Sequence, residues 1–197
     1  AAGAGVERVL LLGPAHRVPF SGLAACSYSS YRTPLGDMPL DRSAPDALER
    51  DRQVTVLDEA HALEHSLEVQ VPFLQVVLPE ICLLPLVVGD AAPADVADVL
   101  RRLWRPEKDL IVISSDLSHY HHYDVARKLD RATTQAIESL DPSGIAPEQA
   151  CGRLPVAGFL LLAREMGWQP ETVDLRSSGD TAGPRDQVVG YGAYVFT

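Results

Sequence analysis

The chain has 197 residues, 46% of them hydrophobic and 22% charged, a balance that fits one compact globular domain with a sizeable core. Its formal net charge of -10 disfavours nonspecific binding to nucleic acid or to anionic membranes. No run of ~18 apolar residues exists to cross a bilayer, and residues 1–6 lack the basic start and apolar stretch of a signal peptide.

Residues 9–12 form a short apolar run ended by Gly13-Pro14, the signature of a buried strand. So early a strand, leading straight into a candidate site, predicts that an N-terminal part precedes it. A second strand is expected within residues 22–28, and residues 33–45 are rich in turn formers. Helices are expected over residues 46–51 and 59–78, the second kinked or restarted at Pro72. Residues 81–88 read as an apolar strand. Residues 94–104 read as a helix with Val96, Val99, Leu100 and Leu103 on one face. A buried strand at 110–113 leads into Ser114-Ser115-Asp116. Helices follow at 124–140 and 156–166, the latter apolar almost all round and ended by Gly167. Residues 172–175 and 188–196 read as the last strands. Strands alternating with helices predict an α/β fold over residues 1–197: one central mixed sheet flanked by helices, with its site beyond the strand ends.

Candidate chemistry lies at those ends. His16 follows the first strand, and imidazole suits zinc, copper or iron. Asp116 and His119 stand three residues apart after a later strand, so the carboxylate is placed to orient an acid–base histidine. Cys151 precedes a helix, where a thiolate is favoured as ligand or nucleophile. The bland alternatives are a loop histidine, a helix cap and a small core residue. His61-Ala62-Leu63-Glu64-His65 matches the H-x-x-E-H zinc peptidase pattern, with Glu64 as base and Glu138 as the best-spaced third ligand. Five residues match such a pattern easily by accident. The three cysteines are widely spaced and odd in number, which argues against a disulfide framework and suits the cytoplasm.

Gly13-Pro14-Ala15-His16 with Val18-Pro19, Tyr31-Arg32-Thr33-Pro34-Leu35-Gly36-Asp37, and Glu64-His65-Ser66-Leu67-Glu68 occur in order. Pro85-Leu86-Val87-Val88-Gly89, Ser114-Ser115-Asp116 with His119, Cys151-Gly152-Arg153 and Gly190-Tyr191-Gly192-Ala193 complete the series. Together these blocks resemble the Memo family, which includes the AmmeMemoRadiSam system protein B and is related in fold to class III extradiol dioxygenases. The resemblance implies a mononuclear iron or copper pocket, with zinc as a further option and a redox or dioxygenase-like activity. It implies His16 and Cys151 as ligands, His119 beside Asp116 as acid–base group, and His65, Glu68 and Arg153 as pocket residues. It also implies radical SAM system partners and an upstream histidine block that does not occur in this chain. A thiolate in place of the dioxygenase acid means that activity does not follow from fold. The rival reading is a non-catalytic module binding a small molecule or peptide in the same pocket, with Arg153 pairing to phosphate or carboxylate.

Overall fold

The computed structural model describes residues 5–42 and 53–197, and the helix expected over residues 46–51 lies outside them. The chain divides into two compact units, Ala1–Ser114 and Ser115–Thr197. Strands and helices alternate as the sequence predicts, giving an α/β fold with a mixed central sheet flanked by helices.

In the first unit, strand β1 (Arg8–Pro14) lies between β6 (Cys82–Val88) and β7 (Asp109–Ile113), parallel to both. β2 (Leu23–Ala25) runs antiparallel to β6 and parallel to β5 (Val54–Val56). All seven residues of β1 are buried. That is why residues 9–12 are a continuous apolar run: a strand covered on both faces leaves little room for polar side chains. β7 is an edge strand with Leu110 40% exposed, so the strand expected to be buried is covered only in part. Residues 33–45, expected as turns, contain part of a hairpin of β3 (Ser30–Thr33) and β4 (Gly36–Pro39).

The helix expected over residues 59–78 is three short ones: α1 (Asp58–Ala62), α2 (His65–Glu68) and α3 (Val71–Val77). Glu64 breaks the first junction. It takes an extended conformation, and its carboxylate caps α2 by accepting from the backbone N–H groups of His65 and Ser66. Pro72 sits in the first turn of α3, where its missing N–H costs nothing. Leu67, Val71 and Leu74 from these helices pack on Val9, Leu11, Leu83 and Val87 of the sheet. α4 (Pro93–Leu103) buries Val96, Val99, Leu100 and Leu103, the face that its periodicity predicts.

The second unit is built on an antiparallel sheet in the order β8-β10-β9, from β8 (His119–His121), β9 (Pro170–Ser177) and β10 (Val188–Phe196). Helix α5 (Tyr123–Glu138) packs across β9 and β10. Helix α6 (Arg153–Met166) is largely buried and ends at Gly167 in the left-handed region, φ 73°. Ala136, Ile137, Ile145, Ala150 and Leu160 form a core with Tyr194 and Phe196. Among the described residues no helix is long and apolar enough to cross a membrane.

Candidate functional site

In the first unit, the chain leaving β1 and the α1–α2 junction bring His16, Glu64 and His65 together. One ligand-type atom from each lies within 4.8 Å of the others. The Glu64 side chain is 1% exposed. Its Oε2 accepts from the His16 backbone N–H at 2.6 Å, and its Oε1 accepts from the N–H groups of His65 and Ser66 at 2.9 Å each. Burial alone raises a carboxylate's pKa. Here the His16 amide and ring and the Ser66 amide overcome burial and hold Glu64 down at about 2.

The ionised carboxylate fixes the orientation of His16. Its Nδ1 lies 2.9 Å from Glu64 Oε1. A carboxylate only accepts, so Nδ1 carries a hydrogen, and in the neutral ring the lone pair is then on Nε2. This is the carboxylate–imidazole arrangement that orients metal-binding histidines. Oε1 already serves three donors, so Glu64 is better suited to orienting His16 than to binding an ion itself. The His65 ring stacks on that of His16, with centroids 4.6 Å apart and planes at 28°. Its Nδ1 is 3.4 Å from the same carboxylate oxygen.

Gly13 lets this group form. A β-carbon there would stand 2.7 Å from Ser66 Oγ and 2.9 Å from Leu67 Cδ2, where α2 crosses the end of β1. The Ser66 hydroxyl also donates to the Pro14 carbonyl at 2.9 Å. Gly13→Ala is therefore expected to push α2 outward and cost about 1–3 kcal/mol of stability by overpacking. Urea unfolding measures it, and a loss below about 0.5 kcal/mol would mean that α2 yields freely.

The peptidase reading does not survive this geometry. It needs His61 and His65 on one helical face, but they belong to separate helices. His61 is buried, with Nδ1 2.6 Å from the Tyr31 hydroxyl and Nε2 3.0 Å from the Ala24 carbonyl, so both ring nitrogens are engaged within the fold. Glu138 accepts from the Thr172 hydroxyl at 2.7 Å.

The second unit gathers Asp116, His119 and Cys151. The Asp116 backbone N–H donates to Cys151 Sγ at 3.3 Å, and Asp116 Oδ2 lies 3.4 Å from His119 Nε2. Burial pushes the Cys151 thiol's pKa up, against the hydrogen bonds from Asp116 and Ser115. His119 opens the short β8 rather than lying on a helical turn. The preceding Ser118 N–H is held at 3.0 Å by Asp130, a buried carboxylate whose pKa burial raises. Arg153 is the first residue of α6 and half-buried. In the first unit, Glu68 lies in the last position of α2 and is exposed. Cys26, Cys82 and Cys151 are all free thiols, and Cys26 is a core residue.

The sequence pattern presents Glu64 only as the base of a peptidase motif. Its partner His16 stands 48 residues away, so its orienting contact has no local signature. The adjacent pair Glu64-His65 is the one available hint.

A family profile described as Memo-like protein matches residues 2–195. A MEMO1 family protein of Metallosphaera sedula is 34% identical over 202 residues, covering 96% of this chain and 72% of that protein. One of Saccharolobus islandicus is also 34% identical, covering 95% and 71%. One of Methanopyrus kandleri is 35% identical over 212 residues, covering 96% and 72%.

Proposed function

The chain belongs to the Memo-like family, and from that premise we propose that it is a metalloprotein with His16 as an imidazole ligand. The observation that carries the proposal is the buried, ionised Glu64 holding Nδ1 of His16, which leaves Nε2 free to donate its lone pair. An imidazole nitrogen suits iron or copper, and zinc as well. Such an ion supplies Lewis acidity and, for iron or copper, one-electron chemistry with oxygen.

The chain's own groups take the remaining roles. Glu64 sets the tautomer and direction of His16. His65 stacks on the His16 ring and limits its rotation. His119, with Asp116 Oδ2 at 3.4 Å, is the group proposed to carry a proton to or from a substrate, in an oxygenase-like or other redox reaction.

The test is titration of the metal-free chain with Fe(II), Cu(I) and Zn(II), followed by competition with a chelator. His16→Ala is expected to weaken binding at least ~10-fold. An ion bound equally well by that variant removes the proposal. Catechol and oxygen consumption by the loaded protein tests the redox part.

A further inference from the structure

The first unit also carries a cleft of about 610 Å³, with Tyr28, Tyr31, Arg32, His61, Glu64 and Glu68 among its walls. Most polar groups there are already committed. The Ala24 carbonyl only accepts, so His61 Nε2 holds the ring hydrogen and Nδ1 accepts from the Tyr31 hydroxyl. Burial lowers the pKa of His61, in keeping with a neutral ring. The Tyr28 hydroxyl donates to the Asp58 carbonyl at 3.2 Å. Arg32 is forked onto Asp37 at 2.9 and 3.3 Å, and that pair is charge-neutral. Glu64 is consumed by the donors around His16.

What remains is the Glu68 carboxylate, exposed and without an ion pair among the described residues. The cleft therefore offers tyrosine rings, the apolar Leu63 and one uncompensated negative charge. The arginine on these walls, Arg32, is already forked onto Asp37. A positively charged group finds both a carboxylate and aromatic residues, the two kinds of group that stabilise an organic cation.

We propose that this cleft binds an organic cation, a primary ammonium or guanidinium on an apolar body, with Glu68 as its charge partner. The proposal goes beyond the metal reading and does not rest on it, because it concerns different groups and needs no ion.

The experiment uses the metal-free full chain and two probes of similar body and opposite charge, phenethylamine and 3-phenylpropionate. Both are titrated at low salt and followed by amide chemical shifts. Phenethylamine is expected to bind saturably and to move the amides of Tyr31 and Glu68, whereas phenylpropionate does not. Glu68→Gln is expected to weaken phenethylamine roughly tenfold, since a charge-assisted bond is replaced by a neutral one. Glu68 is exposed, so the variant should keep its fold, which circular dichroism checks. Equal binding of the two probes, no saturable binding of the amine, or full retention of amine binding by Glu68→Gln each overturns the proposal. Metal affinity, measured separately, reports only on the earlier reading.

Discussion

Asp109→Ala is expected to cost the protein about 3–5 kcal/mol, because it strands a buried guanidinium. Arg8 opens β1, its side chain 5% exposed, and that of Asp109 is 0% exposed. The Asp109 carboxylate accepts from Arg8 Nε at 3.2 Å and Nη2 at 2.5 Å. It also accepts from the Arg105 backbone N–H at 2.8 Å and from its side chain at 3.0 and 2.8 Å. Arg8 reaches Asp41 at 2.6 Å and the Leu103 carbonyl at 2.6 Å, so its charge is neutralised from several sides. Removing both charges together, as in Arg8→Met with Asp109→Leu, is expected to recover part of the loss, since neither ion then needs desolvating while Asp41 and Arg105 each lose a partner. The pH dependence has a definite sign. Burial works against the Asp109 anion, but Arg8 and Arg105 overcome it and hold its folded pKa below the ordinary carboxylate range. Its stabilisation is therefore full above about pH 4, where the unfolded aspartate is ionised, and is lost as the pH falls through the lowered folded value. Urea midpoints between pH 6 and pH 3 should fall more steeply for the wild type than for the double variant. A single-variant loss below about 1 kcal/mol would show that Asp41 alone suffices for Arg8.

The strongly apolar elements were legible in the sequence, and the reason is burial. β1, β6 and α6 are covered by packing, so their residues report the fold directly. α4 is amphipathic, and its period is plain in the sequence. The hairpin of β3 and β4 was not legible, because Ser30, Arg32, Gly36 and Asp37 carry no apolar alternation. β8 is equally obscure: three residues, two of them histidines, paired only to Val188 and Val189 of β10. The helix expected over residues 59–78 failed for a different cause. Local propensity favours continuity, but Glu64 gains more as an extended cap that also binds His16 than as another helical residue. His16, His65, Asp116, His119 and Cys151 were visible as chemistry-bearing types at element ends. The pairing of His16 with Glu64 depends on α2 crossing the end of β1 at Gly13, which only the folded chain reveals.

Glu64→Gln should lower both metal affinity and stability, and how the two losses divide is informative. The native carboxylate accepts from four groups: the amides of His16, His65 and Ser66, and the His16 ring. Glutamine offers one acceptor oxygen and one donor nitrogen. If its oxygen takes the place of Oε1, its NH₂ faces the His16 amide, donor to donor. Turned the other way, it faces the His16 ring and the α2 amides. Either arrangement leaves buried donors unsatisfied, at about 1–3 kcal/mol each. The His16 ring also loses the charged partner that fixes its tautomer, and removal of such a partner typically weakens a metal site 10–100-fold. Stability is read by urea unfolding of the metal-free chain. Affinity is read by chelator competition at a temperature where both forms are folded. Loss of both supports Glu64 as helix cap and imidazole orienter at once. Loss of stability with unchanged affinity would make Glu64 a cap alone, and His16 would no longer be supported as a ligand. The discrimination works because unsatisfied amides destabilise the fold whether or not an ion is present, whereas the His16 tautomer matters to an ion only if Nε2 is the atom that binds it.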